Sequence, residues 1–222
     1  SHFLLHLFFI FSVTLAISEE NTEEPLDYSE KKEEIEEKLD EVGLLWGPTS
    51  SDLEDALRAR MHETGFLPLR QSRMLGGTAD DARSTLEGWM TEAEDPELDF
   101  DVAGLFVPRI DYPAAEEVYA GTYAAIAGAS IDRVLLIGTN QFGFGDGVVG
   151  TSLGAQSPLG KLEADTDFLA DLNGRLDGDL FRDELDHVAS PDVEMQVPWL
   201  QMMIGSPRIA AVLVPDPFAQ LP

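Results

Sequence analysis

The chain has no cysteine among its 222 residues, which excludes disulfides, thiolate metal sites and a cysteine nucleophile. Basic residues are scarce too. Fourteen Lys and Arg stand against 42 Asp and Glu, for a formal net charge of -28. Only Lys31, Lys32, Lys38 and Lys161 are lysines. A negative field of this size repels nucleic acid and anionic membrane surfaces, so neither is an expected partner. A lysine-poor acidic surface suits a high-salt environment and equally an ordinary acidic protein. No Gly-Lys-Ser/Thr occurs, which excludes a P-loop. No apolar run is long enough to span a bilayer comfortably. The longest, residues 3–17, reads as the hydrophobic part of a signal peptide, with Ala16 to Ser18 offering a cleavage spacing that would permit secretion. No Lys or Arg precedes it and the chain begins with Ser, so a misjoined segment is the alternative. His2 and His6 within it are not expected to be ligands.

What is present is enough apolar sequence, 44% of the chain, to build a core. Four stretches differ in texture: the signal-like residues 1–18, an acidic linker or exposed helix at 19–48, a helical lead-in at 49–100, and an α/β region at 101–222. In the acidic stretch Ile35, Leu39 and Val42 form a thin stripe at helical spacing. In the lead-in, "SDLE" at 51–54 has the capping-box pattern, with Leu53, Ala56, Leu57 and Met61 on the expected inward face and Gly65 as the stop. His62 falls in the last turn of that helix, where a cation is favoured. A second helix, 81–94, should bury Ala82, Leu86, Trp89 and Met90.

From residue 101 the order reads strand, helix, strand. The apolar run 102–107 predicts a buried strand, residues 113–128 a helix opened by Pro113 and closed by Gly128, and 134–137 a second buried strand. Together they predict a parallel βαβ unit. Further helices are expected from Asp165 to Gly174 and from Pro191 through Leu200, and a last strand over 208–214. Ligands collect beyond the carboxyl ends of parallel strands. That places the expected site at 108–112, at 139–147 and after Val214.

The glycine-rich loop 138–160 holds two motif spacings. Gly145, Gly147 and Gly150 make a G-x-G-x-x-G, but six residues separate Gly145 from the strand, and Gly154, Pro158 and Gly160 forbid the helix that would hold a pyrophosphate. Gly150, Ser152 and Gly154 make a G-x-S-x-G, for which Ser152, Asp183 and His187 form a remote serine-hydrolase alternative. The same helix breakers argue against that elbow.

Three ordered blocks carry a resemblance. They are "GLFVPRIDYP" at 104–113 with "VYAGTYAAI" at 118–126, "LIGTNQFGFGDGVVGT" at 136–151 with "SPLG" at 157–160, and "FRDELDH" at 181–187 with "VEMQVPWLQ" at 193–201. Together they resemble the Memo family, known in bacteria and archaea as AmmeMemoRadiSam system protein B, whose fold is similar to that of class III extradiol dioxygenases. The resemblance implies an α/β fold, a mainly parallel sheet flanked by helices, here preceded by an acidic, partly helical extension. It also implies a chain cut short of the family's full fold, with an exposed sheet edge open to dimerisation, and a cytoplasmic location.

The resemblance further implies a metal pocket of histidines at three places, where this chain has Arg109, Gln141 and Pro191. A later cysteine ligand has no counterpart before Pro222. A guanidinium repels a cation, an amide is a poor ligand and proline has no side-chain donor. The expectation is therefore no metal cofactor and a binding or scaffold role. A small molecule or peptide would lie near Arg109, Asp111, Tyr112, Asn140, Gln141, Asp146, His187, Glu194 and Gln196. The alternative is an iron- or copper-dependent oxidoreductase with a displaced site at His187, Asp192 and Glu194. Arg109 either receives an anion with Asn140 and Gln141, or pairs with Asp111, Asp146 or Glu194 and fills the vacated space.

Overall fold

The computed structural model describes residues 28–45, 47–94, 96–141, 143 and 147–215. The signal-like run and Asp146 lie outside them. The chain divides into two compact units, 1–53 and 54–222. Among the described residues no helix is long and apolar enough to cross a membrane.

In the first unit, α1 (Tyr28–Glu41) is an acidic helix whose Ile35 is exposed. Helix α2 (Pro48–Thr64), whose residues from 54 onward belong to the second unit, begins three residues before the predicted cap. The Ser50 hydroxyl accepts from the Gly47 amide at 3.0 Å, so the reciprocal bond of a capping arrangement is made by Ser50. Of the predicted inward face only Met61 is buried. Leu53, Ala56 and Leu57 are exposed. Gly65, at φ 74°, ends it.

The second unit is α/β. Its core gathers Met61, Leu75 and Leu86 around Trp199. Helix α3 (Ala79–Glu92) is capped by Thr78, whose side chain accepts from the Asp81 amide, and it buries Ala82 and Leu86 with Trp89 and Met90 partly covered, as its periodicity predicts. Helix α4 (Tyr112–Ala124) carries Pro113 in its first turn and buries Tyr112, Tyr119 and Tyr123. Trp199 comes from α7 (Val197–Ile204), whose first turn holds Pro198. Its indole stacks on Tyr123 at 5.5 Å, on Tyr119 at 5.8 Å and on Trp89 at 6.1 Å between centroids. Trp89 is thus a core residue, as its place on the helix predicts.

The sheet is mixed. Strand β1 (Arg133–Asn140) pairs in parallel with β5 (Arg208–Pro215), which pairs antiparallel with β2 (Val149–Thr151). The order is β1-β5-β2. A small hairpin joins β3 (Ala155–Ser157) to β4 (Gly160–Leu162). Helices α5 (Thr166–Asn173) and α6 (Asp186–Ala189) and a 3₁₀ turn (Glu194–Gln196) lie in the long connection from β1 to β5. Asp165 caps α5 as predicted, whereas Pro191 begins no helix.

Two strand expectations are corrected. Residues 102–107 are extended but belong to no ladder, so the parallel pair is β1 with β5 and not the first apolar run with β1. An apolar run gives a strand only where a neighbour offers its backbone groups. Strand β1 is also not buried on both faces, since Leu135 and Ile137 are 47% and 64% exposed. The G-x-G-x-x-G loop contains strand β2 at its third glycine, and a Cβ on Gly150 would stand 2.7 Å from Leu180. That glycine is there for close packing and does not open a phosphate-binding helix.

Candidate functional site

The aromatic core positions the site. The Tyr119 hydroxyl donates to the Pro108 and Ile110 carbonyls at 2.9 and 3.1 Å, clamping the backbone on either side of Arg109. Tyr112 donates to the Met195 carbonyl at 2.8 Å and Tyr123 to Gln196 Oε1 at 2.9 Å, which fixes the facing 3₁₀ turn. Gln196 Nε2 reaches Pro108 O at 3.4 Å, closing the link between the two segments. Burial pushes all three phenols above their ordinary range, Tyr119 to about 12, so each acts as a fixed neutral donor.

Held in this way, Arg109 projects to the carboxyl end of β1. Its Nε pairs with Asp192 Oδ1 and its Nη1 donates to Gln141 Oε1. Asp192 Oδ2 accepts from the Thr139 amide at 2.7 Å. Gly138 makes room, since a Cβ there would lie 2.6 Å from the Asp192 Cβ. Arg109 and Gln141 are in direct contact, and Asp192 follows Pro191, so the structure brings together the three segments whose substitutions stand out in the sequence. Among the described residues Arg109 pairs with Asp192, and Glu194 is engaged elsewhere; Asp146, one of the expected partners, lies outside the described residues. Asp111 is exposed at the start of α4 with no capping bond from its side chain.

The other predicted residues serve different networks. Asn140 is buried, donating to Asp186 Oδ2 at 2.7 Å and accepting from the Gly143 amide at 3.0 Å. Tyr112 is a core residue. Glu194 Oε1 accepts from the Arg70 amide, the Ser72 amide and the Ser72 hydroxyl at 2.8–2.9 Å, tying the lead-in to the 3₁₀ turn. His187 is buried, and its Nε2 faces the Val149 carbonyl at 3.2 Å. A carbonyl only accepts, so the proton is on Nε2. Nδ1 has no partner. Burial lowers the pKa of His187 to about 4, keeping it neutral.

Ser152 does not meet a histidine. Its amide and hydroxyl both bind Glu184 Oε1, at 2.7 and 3.1 Å, and Thr151 Oγ1 joins them at 2.8 Å. His62 Nε2 holds Glu184 Oε2 at 2.7 Å. Asp183 pairs with Arg182 at the surface. The hydrolase triad is therefore not assembled, and Glu184, which no motif in the sequence marks, is the organising residue of this loop. Among the described residues no group of three or more His, Asp or Glu is placed to hold a metal ion.

Beside Arg109 runs a cleft of about 610 Å³. One wall is residues 102–109 and the other is β1, with Gln196, Leu200 and Ile204 at its floor. The lining is mainly apolar, and the Arg109–Asp192 pair closes one end.

A family model described as Memo-like protein matches residues 76–216, more than half of the chain. The chain belongs to the Memo family. The match begins well before residue 102, where the motifs alone become legible, and so takes in helix α3 of the shared core. A MEMO1 family protein of Pyrobaculum arsenaticum is 33% identical over 125 residues, covering 54% of this chain and 43% of that relative. Another, of Methanococcoides burtonii, is 33% identical over 109 residues, covering 48% and 38%. A third, of Aquifex aeolicus, is 27% identical over 115 residues, covering 52% and 31%. This Memo chain thus spans less than half the length of each of these relatives.

Proposed function

We propose that this chain is a binding or scaffold member of the Memo family, related in fold to class III extradiol dioxygenases, in which an ion-paired network occupies the family's metal position. The Arg109–Asp192 pair with Gln141 in contact is the observation that carries the reading. The donor set does not fit a resident transition metal. Arg109 is a fixed cation, Gln141 spends its acceptor oxygen on that cation, Pro191 has no side-chain donor, and both oxygens of Asp192 already accept. In the displaced set Glu194 Oε1 is taken by Arg70 and Ser72, and although His187 keeps an open Nδ1, among the described residues no three of His, Asp and Glu are grouped to share an ion.

The capacity that remains is the cleft. Its volume and mainly apolar lining with a few polar groups at one end suit a small molecule or a peptide. Two measurements test the reading together: metal analysis of the purified chain after exposure to iron and copper, and binding of the neutral apolar dye Nile red. The expected result is saturable dye binding without stoichiometric metal. One tightly held metal per chain, or no dye binding, contradicts it.

A further inference from the structure

The two walls of the cleft share an uncommon property. Residues 102–107 run extended, yet among the described residues their backbone groups make no backbone hydrogen bond. Across the cleft, β1 is the edge strand of its sheet, bonded to β5 on one side only. Arg109 meets Gln141 and Asp192 at the carboxyl end of β1, while Val102 and Arg133 both line the cleft. The two walls therefore run in the same direction with open donors and acceptors on each. Apolar side chains are left uncovered around them: Phe106 is fully exposed, and Leu135 and Ile137 are about half exposed. An extended segment needs about 4.8 Å of spacing to each neighbour, and a gap between two unpaired extended runs is the space such a segment fills.

Charge sets the direction and the chemistry of the occupant. Asp99 and Asp101 lie just before the first wall and Asp132 just before β1, all three exposed. Because the walls are parallel, these acids gather at one end of the cleft. There Arg133 is already paired with Asp165. The opposite end is closed by the Arg109–Asp192 pair. The whole chain carries -28, which draws in basic peptides and repels acidic ones.

We propose that the cleft binds an extended peptide with apolar side chains and a basic end, which inserts as a strand between residues 102–107 and β1. The proposal rests on the binding reading above and names its ligand class. Main-chain bonds to both walls supply affinity, and the basic end meets Asp99, Asp101 and Asp132.

The probe is a fluorescein-labelled peptide of two lysines followed by Val-Thr-Val-Thr-Val, followed by anisotropy at low ionic strength. Saturable binding is expected. Replacing the lysines by glutamates, or N-methylating alternate amides, should weaken it at least tenfold. Leu105→Pro and Phe106→Pro remove amides that point to opposite sides of the wall. Among the described residues neither amide is bonded, so both variants should fold, and one should lose at least tenfold in peptide affinity while the other keeps it. Equal binding of the N-methylated peptide, or no saturable peptide binding while Nile red still binds, overturns strand insertion and leaves the binding reading standing. Loss of dye binding as well removes both. A concentration-dependent dimer abolished by one of the two prolines would assign the edge to a second copy and also overturns the proposal.

Discussion

Asp192 joins the Arg109 guanidinium through one carboxylate oxygen and the Thr139 amide through the other, at 2.7 Å. The pair thereby staples the residues after the first apolar run to the end of β1. Asp192→Ala would take the carboxylate away from a partly buried cation and the side-chain acceptor away from the Thr139 N–H, at a cost of about 2–3 kcal/mol after allowance for the partial exposure of Arg109. Arg109→Met leaves the Thr139 bond in place and should cost about 1 kcal/mol. Urea unfolding of the two variants checks this asymmetry, and equal losses would contradict it.

Glu184 takes four donors from three residues distant in sequence, with its side chain 2% exposed. Glu184→Ala should destabilise the chain by about 3–5 kcal/mol, and Glu184→Gln by less, since an acceptor oxygen remains. His62 is half exposed, so His62→Ala should change stability by under about 1 kcal/mol. Thermal or urea unfolding orders the three, and a His62 effect equal to that of Glu184 would mean that the charge pair dominates.

His187 gives a pH dependence of definite sign. Its folded pKa of about 4 lies below its ordinary 6.5 because burial disfavours the cation. Between those values the unfolded chain binds the extra proton, so the contribution is fully present above pH 6.5 and is lost as pH falls toward 4. Going from pH 7 to 4.5 should cost wild type roughly 2–3 kcal/mol more than His187→Gln. The difference in urea midpoints at the two pH values measures it. An equal acid loss in both proteins would remove His187 from the account.

Elements with a single strong signal were legible in the sequence. Helix α3 shows it in Ala82 and Leu86, α5 in its Asp165 cap, and β5 in an apolar run that does find partners. The family was legible from three motif blocks, and the model match bears it out. Residues 102–107 were misread because composition reports apolarity and not whether a neighbour offers hydrogen bonds. The inward face of α2 shows a related limit, as Leu53 and Leu57 keep helical spacing but are exposed. In the site, the convergence of Arg109 and Gln141 followed the motif order. The partnership of Arg109 with Asp192, 83 residues away, left no trace in local spacing. Glu184 and Ser72 were invisible for the same reason, since a buried carboxylate is recognised only by the donors that fold around it.

The central claim is that an ion-paired network stands where the family's metal would be. Isothermal titration of copper(II) and of iron(II), the latter under anaerobic conditions, into the chain and into the triple variant Arg109→His, Gln141→His, Pro191→His tests it most directly. The account predicts no stoichiometric binding by the chain and a gain of at least tenfold in metal affinity for the triple variant, which supplies three imidazoles around Asp192. Tight one-to-one binding by the unmodified chain, or no gain in the variant, would contradict it.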